Sequence, residues 1–520
     1  MKNNKYILVA LATILAFSYG CKKSYLETTP SSAVTDENLF VTTTSSYQVI
    51  DGISRLMNTS GASYVPLGDG NTRANDFGES AVRFEEDHMG NDMVDVTNGF
   101  DWFFYAYNYV GFRIPTYNVG QLPWRLYYKM INSANLLLDN IDKAKGPAEE
   151  IANLKGQAYA FRAYAYYKLS IYYCKTYSKA DGGNNRDQMG LPLYLHGTIA
   201  ATKGLPRSTV GEVYDQIVAD LALARTNLEA GGVISGRPSS DISLATFYGI
   251  NAKVALVMEN WQVAKDMADL AMSTFGGSLM SVAEYKAGFN SKSNPEWMWS
   301  SNVSPSQRQD MGNVNFFSFV DAAGSGYAAT GLGTNIAKAT LDVMKGLNDV
   351  RATTFTATRQ QTKFHLANPN SWEFDLLYMR LAEMYLIKAE AQAELGDATG
   401  AVATLTTLVK ARNPDYNYNS NVSRYTQANS VGQSDGAYFG RTSLLKEIYL
   451  QRRIELFLEG VAYADIQRWH SGLKRPSGQG NFTKSTAGTL ILSPDNDGFL
   501  FKIPQQEMDA NSAMAGQQNP

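Results

Sequence analysis

The sequence predicts a mainly α-helical fold, in which helix pairs stack into a superhelix against a loop-rich remainder with a few short strands. Three observations carry that expectation. Apolar, mostly small residues recur at three- and four-residue steps in several stretches. Two of those stretches share one pattern. Between the periodic stretches lie long segments rich in Gly, Asn, Asp and aromatic residues, a kind of chain that is uncommon inside a compact domain unless it serves a function.

The clearest stretch runs from Leu381 to Ala411. Ala382, Tyr385, Leu386, Ala389 and Ala393 give one side of a helix a face of mostly small residues, which lets a second helix approach closely. Gly396 and Asp397 interrupt the pattern; Ala401, Leu405 and Leu408 resume it, with Asp397 placed to accept backbone N–H groups at the start of the second helix. Between Ser243 and Met272 the same spacing recurs in Ala245, Tyr248, Ala252, Leu256 and Ala264, with Asn260 in the place of Asp397. Helix pairs of this tetratricopeptide (TPR) kind cannot bury their outer faces alone, so the remainder of the chain must supply neighbours.

A chain of 520 residues, 44% of them hydrophobic and 18% charged, is long enough to bury a large core. The net charge of -3 argues against a nucleic-acid partner, which calls for a clustered basic surface. An aromatic share of 12% leaves rings available for a stacking surface once the core is filled.

At the N-terminus, Lys2 and Lys5 precede an apolar run from Tyr6 to Phe17, which reads as a secretory signal over residues 1–20. The run is too short to cross a membrane, which takes about 20 apolar residues. Ser18-Tyr19-Gly20-Cys21 is similar to a bacterial lipobox, with Ser18 where leucine is common, and makes Cys21 the expected lipidation site. Two other readings stand beside it: an ordinary cleaved signal with a spare Cys21, and a disulfide to Cys174, the only other cysteine. With Cys21 lipidated, Cys174 is expected as a buried thiol. Residues 21–35 read as a polar tether and residues 36–520 as a single domain.

Along that domain the spacing predicts a helix from Asp36 to Met57, an irregular segment from Asn58 to Val119, and helices at Trp124–Ile141 and Ile151–Tyr177. Gly190 to Leu193 is extended. Thr209 and Glu212 fit a capping box that opens a helix to about Leu228. Trp297 and Trp299 alternate as in a core-facing strand, and a second irregular region spans Pro305 to Thr334. After the Leu381–Ala411 pair come a polar loop from Asn413 to Gly440, one helix from Ser443 to Trp469, and a hairpin turning at Asp495 to Gly498.

Several stretches together resemble the SusD/RagB-like outer-membrane lipoproteins of the Bacteroidetes. They are Cys21 with Leu26 and Pro30, FRAYAYYKLSIYY from Phe161, GLPL from Gly190, PRSTVGEVYDQIVADL from Pro206, RLAEMYLIKAEA from Arg380, RRIELFLEG with Asp465 and Arg468-Trp469, and IPQQEMDAN with the terminal QNP. They fall in the family's order across nearly the whole chain. Gln451-Arg452 replaces the family's common Glu-Arg, Ala462 replaces an Arg, and Lys22 and Lys23 stand where a surface-export signal favours acidic residues. The resemblance implies four TPR-like helix pairs against a loop-rich remainder. It also implies a non-catalytic, surface-exposed, lipid-anchored binding protein of the outer membrane, usually for glycans, acting as lid on a SusC-type TonB-dependent transporter. Relatives that bind peptides share the scaffold, so glycan and peptide both stand as ligand classes; a TPR scaffold docking peptides or envelope proteins is the alternative role.

Sugar rings have apolar CH faces and equatorial hydroxyls, so a glycan site needs aromatic platforms flanked by planar polar groups. The segment Asn98 to Arg113 supplies both, and the expected site is Trp102 as platform, Tyr105 beside it and Asn108 as hydrogen-bonding partner. Phe317 and Tyr327 lie in a loop that could reach the same surface, while Arg73 and Asp76 read as a loop-stabilising ion pair. Enzyme readings find little. Gly432-Gln433-Ser434-Asp435-Gly436 matches G-x-S-x-G, but lies in a polar loop where a nucleophile elbow needs a strand and a helix. The four histidines, His88, His196, His365 and His470, lack metal-ligand spacing, Glu85 and Glu86 read as neighbours in a solvated acidic run, and Asp495, Asp497 and Gly498 match only part of a calcium loop. No catalytic group, metal or cofactor is expected.

Overall fold

The computed structural model describes residues 39–60, 75–95, 102–303, 312, 314–330, 334–345, 347–369, 371–426, 440–475 and 490–520. The signal segment, Cys21 with its tether, Arg73 and the Gly432–Gly436 motif lie outside them. The principal helices are α1 (Thr43–Leu56), α2 (Glu79–His88), α3 (Asn118–Asn140), α4 (Ala148–Tyr173), α5 (Val210–Gly231), α6 (Leu244–Val257), α7 (Trp261–Phe275), α8 (Leu381–Glu394), α9 (Ala398–Lys410), α10 (Ser443–Glu455), α11 (Ala462–Arg468) and α12 (Gln505–Ala510). From α3 to α9 each packs against the next, α1 lies across α3 and α4, and α10 closes on α8, so the periodic stretches form one continuous stack.

Local chemistry accounts for the helix starts. The Thr209 hydroxyl accepts from Glu212 N (3.1 Å) and the Glu212 carboxylate accepts from Thr209 N (2.7 Å), the reciprocal box its spacing predicts. Asp397 accepts from Gly400 N at 2.9 Å and opens α9 as expected. α1 starts at Thr43 behind a Thr42–Ser45 box. Close approach between helices rests on missing side chains: a Cβ on Gly156 of α4 would lie 2.7 Å from Leu228 Cγ of α5.

Three two-stranded antiparallel sheets attach the remainder. β1 (Met93–Asp95) pairs with β3 (Thr334–Ile336), and β2 (Trp297–Asn302) with β4 (Asp375–Arg380). Trp297 and Trp299 are buried, as their alternation implies. The last sheet corrects the expected C-terminal hairpin: β6 (Leu490–Leu492) pairs with β5 (Leu473–Arg475), while Phe501 N and Lys502 N donate to Tyr172 O and Phe112 O. Residues 499–503 thus bond to loop and helix ends across the molecule.

Two further expectations are corrected. The segment from Asn58 to Val119 contains α2, whose acidic run is buried. The hydroxyls of Tyr127 and Tyr164 donate to Glu79 (2.7 and 2.6 Å), and Lys168 and Tyr172 donate to Glu86 (2.8 and 2.6 Å). Glu85 and Glu86 are therefore interior groups. The single helix expected from Ser443 to Trp469 is broken between α10 and α11, where Leu458 and Gly460 both take φ of 66°. Gly460 N donates to Asp87 Oδ2 at 2.7 Å and Arg83 Nε to Glu459 O at 3.1 Å, contacts that a continuous helix could not make.

The break also delivers Glu459 to a buried ionic network. Arg380, at the end of β4, donates to Glu459, Glu455 and Glu296; Arg412 donates to Glu296 and Glu455; and Arg351 pairs with Asp349 and Glu455. The C-terminal tail is fastened separately. Arg207 donates to Gln517 O (2.9 Å) and Asn519 Oδ1 (2.8 Å), and Asn519 Nδ2 donates to Tyr173 O (3.0 Å). Cys174 is buried and in no disulfide, and burial pushes its thiol up to about 12. No helix among the described residues is long and apolar enough to cross a membrane.

Candidate functional site

The site is built on the irregular chain between α2 and α3 and on the loop after β2. Phe103 and Phe84 (4.7 Å between centroids), Phe103 and Phe319 (5.0 Å), and Phe77 and Phe319 (5.6 Å) make a buried aromatic floor. Trp102 and Tyr327 stand on it, both half-buried. Their ring centroids are 4.8 Å apart at 70°, Trp102 meets Phe319 at 5.9 Å, and Tyr327 meets Phe319 at 4.8 Å. The two Trp102 contacts, at 70° and 82°, are edge-to-face, and such contacts fix ring orientation as well as adding to burial.

Trp102 is also held through its backbone. Asn75 Nδ2 donates to Trp102 O at 3.3 Å, and Asn118 Nδ2, on the first residue of α3, donates to Asn75 Oδ1 at 3.3 Å. The Ser60 hydroxyl donates to Asp76 Oδ2 at 3.1 Å. Beneath them, burial and the nearby Asp76 push the Glu85 carboxyl well above its usual range, and its Oε2 has no partner among the described residues. Burial pushes His88 down to about 3, which keeps its imidazole neutral, and Nδ1 lies 2.8 Å from Phe84 O.

Of the expected site residues, Trp102 and Tyr327 come together from opposite parts of the chain. Tyr105 is half-buried and packs edge-on against Tyr117 at 5.3 Å. Asn108 turns inward: it is 5% exposed and its Oδ1 accepts from Val110 N at 3.2 Å. Phe317 is corrected. It is 1% exposed and packs against Phe374 at 4.9 Å, because the Phe316–Val320 helix turns it into the core while Tyr327 stays at the rim. Tyr117, 37% exposed, was missed; it lies in the same aromatic-rich segment, and its position just before α3 was the available signal.

One arrangement has the order of a nucleophile, a base and an orienting carboxylate: Ser178 Oγ lies 3.2 Å from His470 Nε2, and His470 Nδ1 lies 2.8 Å from Asp495 Oδ1. Ser178 is 2% exposed, so its hydroxyl is closed to a substrate and the three residues act as a clasp between loops. The Asp495–Gly498 stretch is thereby a structural turn. Among the described residues, no three His, Cys, Asp or Glu side chains are grouped to hold a metal ion.

A family model described as starch-binding associating with outer membrane matches residues 74–249, and one described as the SusD family matches residues 333–520. The chain is similar to a SusD-like carbohydrate binding protein from Bacteroides vulgatus, with 26% identity, a TM-score of 0.73, and coverage of 92% of this chain and 99% of that one. A putative sugar binding protein from Bacteroides vulgatus shares the fold at 22% identity and a TM-score of 0.71, covering 92% of this chain and 98% of that one. A SusD superfamily protein from Bacteroides thetaiotaomicron does so at 21% identity and a TM-score of 0.72, with 92% and 100% covered. No curated protein sequence matches the chain.

Proposed function

The chain belongs to the SusD family, whose members associate with the outer membrane, and from that premise we propose that it is a non-catalytic lipoprotein that captures an oligo- or polysaccharide at the cell surface. In this reading Cys21 carries the lipid, residues 21–35 are the tether, and residues 36–520 form the single domain that acts as lid on a SusC-type TonB-dependent transporter. A tether confines the lid near its transporter and raises its effective concentration there. Ligand held between lid and barrel then passes inward.

The observation that carries the reading is the convergence of Trp102 and Tyr327, half-exposed over a rigid aromatic floor, with Tyr105 and Tyr117 forming a second ring pair on the same segment. Flat rings fixed by packing suit the CH faces of a pyranose, and Trp102 is the platform. The carbohydrate-binding relative from Bacteroides vulgatus supports the ligand class. A peptide groove on the helix pairs draws less support, since the small-residue faces of α8 and α6 are filled by their neighbours.

Affinity electrophoresis against a panel of plant and bacterial polysaccharides is the direct test. Trp102→Ala is expected to weaken the retained glycan at least about tenfold, as loss of a central aromatic anchor does; unchanged affinity overturns the site. Labelled palmitate incorporation that disappears in Cys21→Ala, and co-purification with a TonB-dependent barrel, test the anchor and the partner.

A further inference from the structure

We propose that the molecule carries a second ligand site, for a saccharide of one or two rings bearing a carboxylate, in the cleft between α3, the 194–202 loop and α12. The cleft has a volume of about 380 Å³, within the range of pockets that hold small molecules. Its residues are distinct from the Trp102–Tyr327 group, so the inference goes beyond the capture site and stands if that reading fails.

The wall is a consequence of helical spacing. Along α3, Trp124, Tyr128 and Ile131 form one row, and Arg125, Lys129 and Asn132 form the next, one position further round. An apolar, aromatic strip therefore runs beside a strip of nitrogen donors. The Tyr128 ring lies 4.6 Å from Trp124 and 6.1 Å from Tyr194 across the cleft, the last at 84°. Both tyrosines are fixed: the Tyr128 hydroxyl donates to Pro192 O at 2.9 Å, and the Tyr194 hydroxyl accepts from Leu205 N at 3.1 Å. Rings anchored in this way are ordered before a ligand arrives, which lowers the entropic cost of binding.

The polar strip has capacity left over. Asn132 Oδ1 accepts from Thr198 N (2.7 Å) and Thr198 Oγ1 (2.9 Å), which ties down the loop, while no described residue accepts from its Nδ2. Lys129 forms no ion pair with any described residue. Opposite it, Glu507 Oε1 accepts from Asn511 Nδ2 at 3.0 Å. Two cations and one carboxylate line the space, so its balance is positive. Ile199, 72% exposed on the loop, supplies an apolar lip. Stacking rings, amide and hydroxyl partners and an unpaired ammonium together suit a hydroxylated ring with an acid group better than an apolar ligand.

The test uses the full chain with digalacturonate and the hyaluronan disaccharide as acidic probes and cellobiose as neutral control, followed by saturation-transfer NMR and calorimetry. An acidic probe is expected to bind, cellobiose to bind at least about tenfold more weakly, and Lys129→Ala to weaken the acidic probe at least about tenfold. Tyr194→Ala is expected to weaken it as well, and Trp102→Ala to leave it unchanged. Thermal melting checks that Lys129→Ala, an exposed position, keeps the fold. Absence of binding by both acidic probes at about 10 mM, equal binding of cellobiose, full affinity in Lys129→Ala, or loss in Trp102→Ala alone overturns the proposal.

Discussion

Arg380 grips Glu459 with three hydrogen bonds, Nε to Oε2 at 2.8 Å and to Oε1 at 3.0 Å and Nη2 to Oε1 at 2.7 Å, and neither side chain is more than 5% exposed. The arginine ends β4 and the glutamate sits in the break between α10 and α11, so the bond joins the inserted sheet to the last helices of the stack. Buried charges of this kind contribute little net stability as a complete set, yet removing one member leaves its partners charged and unpaired.

Arg380→Met is therefore expected to destabilise the domain by about 3–5 kcal/mol in urea unfolding. Arg225→Ala, which breaks a pair whose side chains are each 44% exposed, should cost under about 1 kcal/mol. Equal losses in the two variants would contradict the role given to the network.

The same network sets an acid limit. The surrounding arginines hold Glu455 below the usual carboxylate range against the opposing effect of burial, and Arg380 and Lys363 do the same for Glu459. A carboxylate depressed in the folded state stabilises above its unfolded pKa of about 4.3, and that contribution is lost as pH falls through the folded value. Denaturant midpoints measured from pH 6 downward should therefore decline below about pH 4.3, and less steeply in Glu455→Gln.

Glu85 behaves in the opposite sense. Burial and Asp76 raise its pKa, so ionisation opposes folding and stability falls as pH rises from the unfolded value towards the folded one. Glu85→Gln should match the wild type at pH 4 and exceed it at pH 8, read as a difference in unfolding midpoint that grows with pH. A difference independent of pH would show that packing, and not ionisation, dominates at this position.

Gly156→Ala places a methyl group against Leu228, where the Cβ would sit 2.8 Å from the backbone nitrogen. Overpacking at such a contact costs about 1–3 kcal/mol, measurable as a lowered midpoint in chemical denaturation.

Cys174 should be inert. With its thiol pushed up to about 12 and its side chain buried, a disulfide reagent at pH 8 should modify it only after unfolding.

The helix pairs were legible because their signal is local: spacing, caps and small residues lie within one turn or two. α2 was not, because Glu79 and Glu86 look solvated until Tyr127, Tyr164, Lys168 and Tyr172 arrive from α3 and α4 to satisfy them. The break at Leu458–Gly460 depends on Arg83 and Asp87, hundreds of positions away. In the candidate site, composition pointed to Trp102 and Tyr327. It could not separate Tyr327 from Phe317, since which aromatic of one loop faces inward is decided by Phe364 and Phe374 beneath it.

The fastening of the tail bears on how the molecule is made. Arg207, buried beside the end of α4, finds acceptors on Gln517 and Asn519, residues 310 and 312 positions further along the chain. Ribosomes add about 5–20 residues per second from the N-terminus, so this guanidinium waits without those acceptors while the chain between them is added, a separation of 310 positions. The early helices can form first, with Arg207 already bonded to Gly190 O and Tyr173 O, but their junction is completed only once the 517–519 segment has been made.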